Sequence, residues 1–340
     1  MDTRVLPIPM DEATMAEFRQ RGQVPEDVES SIGTVLSYIH FAIPDVPVSS
    51  HARLSALPPD DDDDGVDRLS LLPDALLRRI VSRVPVKAAA RTAALSSRWR
   101  AAWRSTPLVL VDADLLPAGV SDADTDAARE EARAVTFAVS RVIAAHPGPF
   151  GRLHLTSSFM DQYQGLLASW LQVLAVKGIQ ELILVNRPFP ADLTLPATFF
   201  GMATLTRLYL GLWKFPDTAA LPRAACFPNL RDLGFSLIGI TNHDMDFVLA
   251  RSPVLETLCL QANTLQRVRV ASRSLRCLMM MGFDQDVNVV NAPRLEGLIM
   301  LYSCGSSMLV KIGRAPSLRA IGYLDLETHV LEIGDTIIKV

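Results

Sequence analysis

The sequence predicts an α+β fold in which a small three-helix module precedes a long stack of repeated short strands. Three observations carry that expectation. An apolar stripe at helical spacing runs from Leu72 to Val84. Trp99 and Trp103 stand one helical turn apart on one face. A motif of the form apolar-x-x-apolar-x-apolar recurs from residue 150 to the end of the chain.

The first helix opens at Pro73, whose missing N–H costs nothing in a first turn. Leu72, Leu76, Ile80 and Val84 recur every four positions, and Leu77 and Val81 widen the stripe. Arg78, Arg79 and Arg83 point elsewhere, and Pro85 ends the helix. A second helix, rich in alanine, is expected from about Lys87 to Ala94. The third holds the two tryptophans. Between Asp67 and Pro107 stand nine basic residues and two acidic ones, a local charge of +7 in a chain of net charge −4. A further helix is expected from about Asp126 to Ala145. Asp122, Asp124 and Asp126 sit at its amino end, where the helix dipole favours negative charge, and Pro147 and Gly148 stop it.

The repeated motif appears as Phe150, Leu153, Leu155; Ile179, Leu182, Leu184; Leu205, Leu208, Leu210; and Leu230, Leu233, Phe235. It continues as Leu255, Leu258, Leu260; Leu275, Leu278, Met280; Leu295, Leu298, Met300; and Leu318, Ile321, Tyr323. Leucine-rich repeats show this core at intervals of about 20–29 residues, because a single turn buries too few leucines and only stacked turns share an apolar interior. The expected architecture is therefore a right-handed, curved solenoid with strands on its concave face. Alternating pairs (Val268 and Val270, Val287 and Val289, Val310 and Ile312) predict a second short strand in the later turns. Earlier turns carry helices instead, at Gln162 to Lys177 and at Asp244 to Ala250, the latter capped by Thr241.

Four segments result. Residues 1–66 read as a largely disordered amino-terminal segment and acidic linker, with a helical turn near Met15 to Arg21 and an apolar run from Ile32 to Ala42. Pro44, Pro47, Pro58, Pro59 and the run Asp60 to Asp64 resist compact structure. Residues 67–108 form the three-helix module, 109–149 a connecting segment with a helix, and 150–340 the repeats. Cys226, Cys259, Cys277 and Cys304 form no C-x-x-C pair and read as free, buried thiols in a reducing compartment. The charged amino terminus is no signal-peptide core, and no apolar run approaches the roughly 20 residues of a membrane span. The expected location is cytoplasmic or nuclear, away from membranes.

The run DRLSLLPDALLRRIVSRVPVKAAARTAALSSRWRAAWRSTPLVL resembles the F-box of plant F-box proteins, with Leu72-Pro73 opening it and Ser96-Ser97-Arg98-Trp99-Arg100 closing it. With the repeats, the resemblance covers about residues 67 to 340. It implies a non-catalytic substrate-recognition adaptor of a Skp–cullin–F-box ubiquitin ligase. The F-box would dock on a Skp-type adaptor, and through it on a cullin, while the repeats hold an unknown target protein. Carried over by position, the adaptor contacts are Leu72, Pro73, Leu76, Ile80, Val84, Leu95, Ser96, Trp99 and Trp103. The family often has an acidic residue where Ala88 stands, so the second helix is expected to be poorly capped. Plant relatives often carry a further carboxy-terminal module. Here the chain ends within the alternation Ile337, Ile338, Val340, so that module is expected to be absent and the last turn uncapped.

Read residue by residue, Leu76, Ile80 and Leu95 are expected to serve mainly the core of the three-helix module, and Trp103 to divide between core and contact. In the repeat strands the residues between the leucines face away from the core. Among these, Met279, Met281, Ile299 and Leu301 would form an apolar patch, with Tyr209 on the same face, and are the expected target contacts. The competing expectation is that another segment of the chain covers this face.

No G-x-S-x-G, P-loop, G-x-G-x-x-G or H-E-x-x-H is present, and His146 and His154 have no recognisable nucleophile beside them. No catalysis, cofactor or metal is expected. Two alternatives use the same residues. Three basic helices with tryptophans suit a nucleic-acid-binding module, and the repeats suit a protein-interaction role without ligase recruitment. No side chain is aimed at bases in any recognisable pattern, so no nucleic acid is expected.

Overall fold

The computed structural model describes residues 71–340 apart from 116–124, 157, 159, 161–163, 187–192, 223, 262–263, 266, 283–284, 302–306, 323–328 and 339–340. It also describes residues 15–16 and 19–20, which are helical, and the helical Gly33. The rest of the expected turn at Met15 to Arg21, most of the apolar run from Ile32, and the acidic linker lie outside the described residues.

Three short helices form where the apolar spacing placed them: α1 (Asp74–Val81), α2 (Val86–Thr92) and α3 (Ser97–Ser105). Pro73 and Pro85 are the N-caps of α1 and α2, and neither helix has a side-chain cap. Proline at the cap position has no side-chain acceptor to offer. Ser96 caps α3, its hydroxyl accepting from the Trp99 N–H at 3.3 Å. Leu77, Val81, Ala89, Trp99 and Ala102 are the buried core of this module. Arg98 ties α3 back to α1: its Nε donates to Asp74 Oδ1 at 2.7 Å and its guanidinium also donates to the Leu72 carbonyl.

The sheet begins one strand earlier than the motif indicated. β1 (Leu108–Val111) follows α3 directly and pairs parallel with β2 (Phe150–Leu155). The segment after the module is therefore part of the stack, with Leu108 and Leu110 in its core. Between these strands a 3-10 turn (Asp112–Leu115) leads to α4 (Thr125–Ala145). Asp112 is fully buried and accepts from the Ser158 N–H at 2.7 Å and the Ser158 hydroxyl at 2.8 Å, which compensates the burial of its charge.

Each further repeat adds a strand: β3 (Glu181–Val185), β4 (Arg207–Gly211), β5 (Asp232–Ser236) and β6 (Thr257–Gln261). Two strands per turn follow: β7 (Arg267–Ala271), β8 (Cys277–Met281), β9 (Asp286–Asn291), β10 (Gly297–Leu301), β11 (Leu309–Arg314) and β12 (Ala320–Gly322). The chain closes with β13 (Val330–Ile333) and β14 (Thr336–Ile338). A nine-stranded parallel sheet has the order β1-β2-β3-β4-β5-β6-β8-β10-β12, and a second sheet has the order β14-β13-β11-β9-β7. The second strands expected at Val268, Val287 and Val310 are β7, β9 and β11. The helices expected in earlier turns are α5 (Gln164–Lys177) and α6 (Asn242–Ala250), with Thr241 accepting from the Asp244 N–H.

The leucine motif sets the register. Leu182, Leu208, Leu233, Leu258, Leu278 and Leu298 stand opposite one another along the sheet, each at most 1% exposed. The motif-opening residues from Phe150 to Leu295 are all fully buried. In the eighth copy Leu318 and Ile321 are only partly buried, and Tyr323 lies outside the described residues. The helices fill the same interior: Val135, Val139 and Ile143 of α4, Trp170, Leu171 and Leu174 of α5, and Met245, Val248 and Leu249 of α6. Among the described residues between β3 and β5 there is no α-helix, and a cluster of rings takes its place. Phe199 and Phe200 pack on Phe215 and Phe227 with centroids 5.2–5.9 Å apart.

The end of the chain differs from the bare alternation expected of it. β13 and β14 form an antiparallel hairpin through Gly334, at φ +56°, and Ile333, Ile337 and Ile338 are exposed. Cys226, Cys259 and Cys277 are free thiols, but only Cys259 is buried; Cys226 and Cys277 are half-buried, which corrects the expectation that all of them are buried. Among the described residues no helix is long and apolar enough to cross a membrane.

Candidate functional site: an apolar docking face and the outer face of the sheet

The nine residues carried over as adaptor contacts separate by burial. Leu76 is 43% exposed and Leu95 is 72% exposed, as is Leu71 immediately before the motif. Leu72, Ile80 and Val84 are partly buried against the module core. The expectation that Leu76 and Leu95 serve that core is therefore corrected. Leu77 and Val81 point inward on α1, which turns Leu76 outward. Leu95 sits in the turn before α3, outside any helix face. Trp99, by contrast, is only 4% exposed and belongs to the core. Pro73 is exposed, and Ser96 is occupied as the α3 cap.

Trp103 takes a core position at the junction of the two parts of the chain. It is partly buried against both the module core and the repeat core. It meets His146 edge-on at 4.9 Å between ring centroids, and His146 meets Phe150 in the same way at 5.3 Å. This chain of rings joins the helical module to the first repeat strands. Lys177, at the end of α5, closes the junction by donating to the carbonyls of Ile143 and His146. His146 is 1% exposed. Burial, reinforced by the Lys177 charge, lowers its pKa more than the backbone groups of Thr106 and Pro149 raise it. The ring is neutral at pH 7.

The basic residues Arg78, Arg79, Arg83, Lys87, Arg91, Arg100 and Arg104 of the same module are all exposed. Exposed leucines on a positively charged module can bury apolar area against a partner while the charge steers an acidic one into place. Fully burying one such leucine contributes about 1.5–3 kcal/mol.

The second candidate surface is the face of the long sheet opposite the leucines. Its middle row runs Ile183, Tyr209, Gly234, Cys259, Met279, Ile299 and Gly322 in register. The expected target residues divide here. Met279, Met281, Ile299 and Leu301 are half-buried, whereas Tyr209 is 6% exposed. At the other edge lies a charged ladder that sequence reasoning missed. Glu181 pairs with Arg152 at 2.9 Å and Arg207 at 3.3 Å, and Arg207 reaches Asp232 at 3.1 Å. Burial opposes the charge on Glu181, but His154 and the two guanidinium groups outweigh it and hold the carboxyl at about 2. His154 Nε2 approaches Glu181 Oε1 at 3.6 Å, an electrostatic contact longer than a hydrogen bond. Burial keeps that imidazole neutral as well. The signal available in the sequence was the charged residue preceding each leucine pair: Arg152, Glu181, Arg207 and Asp232.

Comparison with known proteins matches both parts of the chain. The F-box domain model matches residues 69–110. The leucine-rich repeats of the FBD-associated F-box protein At5g56370 match residues 167–340, half of the chain. Among curated Arabidopsis thaliana proteins, the F-box/FBD/LRR-repeat protein At1g13570 is 27% identical over 79% of this chain and 64% of its own length. The F-box/LRR-repeat protein At3g26922 is 26% identical over 70% of this chain and 78% of its own. The putative FBD-associated F-box protein At5g56440 is 29% identical over 74% and 58%. Two of these three relatives are therefore spanned over less than two thirds of their length. No solved structure matches the chain.

Proposed function

The chain belongs to the plant F-box and leucine-rich-repeat family, and from that premise we propose that it is a substrate-recognition adaptor of a Skp–cullin–F-box ubiquitin ligase. In this reading residues 67–108 dock on a Skp-type adaptor, which joins a cullin. Residues 150–340 wind as a right-handed, curved solenoid whose concave strand face binds the target protein. The chain itself is non-catalytic and acts in the cytoplasm or nucleus. The target contacts are Met279, Met281, Ile299 and Leu301, the half-buried stretch of the strand face.

One observation carries the reading. Leu71, Leu76 and Leu95 stay exposed on a module that already has its own core, and exposed large apolar side chains of this kind support a partner-docking role. The decisive experiment is an affinity pull-down with mass spectrometry, comparing the intact chain with a Leu76→Asp/Leu95→Asp variant. The intact chain should retain a Skp-type adaptor at moderately high salt and the variant should lose it. Equal retention would place the docking elsewhere.

A second reading draws on the exposed arginines of the helical module, which suit a nucleic-acid backbone. The salt dependence separates the two, since phosphate contacts fall steeply with salt and a dock through leucines does not. Adaptor loss from a folded wild-type chain would instead favour a repeat protein that recruits no ligase.

A further inference from the structure

The consecutive methionines Met279, Met280 and Met281 close β8, and the strand sorts them. Successive side chains of a strand point to opposite faces. Met280 is 1% exposed and lies in the leucine core, whereas Met279 and Met281 are half-buried on the outer face. The rest of the repeat domain sharpens the contrast. Met160, Met202, Met245, Met280, Met300 and Met308 are each at most 6% exposed. Among the described residues from 150 onward, Met279 and Met281 are therefore the two methionines whose side chains reach solvent.

Their neighbours give the position its meaning. Met279 stands opposite Cys259 on β6 and Ile299 on β10, and Met281 stands opposite Gln261 and Leu301. Ile299 and Leu301 are half-buried as well, so the two thioethers lie within a half-open apolar stretch. A thioether reacts with an oxidant without first losing a proton, so access to the sulfur decides which methionine reacts. The product is a polar, chiral sulfoxide in place of a flexible apolar side chain. Burial protects the methionines of the core from that change, and the strand face leaves this pair open to it.

We propose that Met279 and Met281 are a paired oxidation site, at which a hydroperoxide converts the outer face of β8 from apolar to polar while the core stays intact. In each step a sulfur lone pair attacks one peroxide oxygen and the O–O bond breaks. The sulfur gains that oxygen and is oxidised to the sulfoxide. The other oxygen takes up the transferred oxygen's proton and leaves as water, so the peroxide is reduced. The change is reversible, because dedicated reductases return sulfoxides to thioethers. Two new acceptor oxygens then stand beside Ile299 and Leu301, and an apolar partner loses its fit. That last consequence rests on the reading of this stretch as the target contact; the site of oxidation does not.

The full chain is treated with hydrogen peroxide at pH 7. Dithiothreitol is then added, which restores reversibly oxidised thiols such as Cys277 and leaves sulfoxides in place. Peptide mass spectrometry with fragmentation follows the three methionines of β8 separately. Met279 and Met281 should oxidise about tenfold or more faster than Met280, which reacts only when the structure opens. Equal rates overturn the proposal. A Met279→Leu/Met281→Leu chain keeps the stretch apolar at nearly constant volume. On hydrophobic-interaction chromatography the oxidised wild-type chain should elute earlier than the untreated one. The variant should shift much less, since the other methionines are common to both chains. The wild-type Tm should fall by less than about 2 °C on oxidation. An equal elution shift in the two chains, no shift in either, or a larger fall in Tm overturns the proposal. Neither measurement uses a partner, so failure here leaves the adaptor reading standing, and a failed adaptor pull-down leaves this site standing.

Discussion

The ring of Tyr209 lies where a side chain on Gly234 would be. The two residues face each other across β4 and β5, and a Cβ built on Gly234 would stand 2.2 Å from Tyr209 Cδ1. The glycine is thus required by its neighbour, not by a turn. Gly234→Ala should destabilise the chain by about 1–3 kcal/mol, the usual cost of overpacking. In a Tyr209→Ala background the same substitution should cost much less, since contacting residues do not act additively. Urea unfolding of the four chains of this cycle tests it, and equal costs in both backgrounds would refute the contact.

The carboxyl of Glu181, held at about 2 between Arg152 and Arg207, makes the repeat domain acid-sensitive. Its folded pKa is depressed, so its contribution is complete above the unfolded value near 4.5 and is lost as pH falls toward about 2. The full effect is of order 3 kcal/mol at most. A Glu181→Gln chain should be less stable at pH 7, and its stability should fall less steeply than wild type between about pH 4.5 and 2. Parallel slopes in denaturant titrations across that range would contradict the assignment.

His146 responds in a different window. Its folded pKa lies below the ordinary 6.5, so the stability it contributes as a neutral ring is present above 6.5 and is lost as pH falls toward the lowered value. His154 acts in the same direction. An NMR titration should show the His146 ring protons titrating with a midpoint below 6.5. The drop in Tm from pH 7.5 to 5.5 should also be smaller in His146→Phe, which keeps the ring between Trp103 and Phe150. A midpoint at or above 6.5 would mean the ring is not desolvated.

Gly282 isolates a purely conformational cost. It has φ +61° and nothing within 4 Å of a built Cβ. Leu212 and Leu237 hold the corresponding position after β4 and β5, also at positive φ. Gly282→Ala should therefore cost about 1 kcal/mol from backbone strain alone. Gly297→Ala, which meets only Cys277 Sγ at an ordinary 3.9 Å, should cost less. The reverse order in thermal melts would refute the argument.

How much of this was legible follows from which interactions are local. The leucine motif fixed the stack because its period is carried by adjacent residues, and Leu182 through Leu298 fall into a single register. β1 escaped notice because it follows α3 with only Thr106 and Pro107 between them, and its first leucine, Leu108, was absorbed into the helical motif. The inward and outward sides of α1 were misassigned for a related reason. Leu72, Leu76, Ile80 and Val84 form the more regular stripe, yet packing against Trp99 and Ala102 selects Leu77 and Val81. Only the placement of α3 decides between these two adjacent stripes, and spacing does not encode it. The Glu181 ladder was hidden because its members lie about 25 residues apart and meet only once the strands are in register. Tyr209 was assigned to an open face, and its burial depends on what lies above the sheet.

The account rests on exposed leucines gripping a partner while buried neighbours hold the module together, and a single titration tests that division. Purified Skp-type adaptor is titrated calorimetrically into the wild-type chain and into Leu76→Asp, with a melt of each chain alone. The prediction is a loss of at least about 2 kcal/mol in binding, roughly thirtyfold in Kd, with Tm unchanged within about 2 °C. Undiminished affinity, or a loss of affinity that merely tracks an unfolded module, would contradict it.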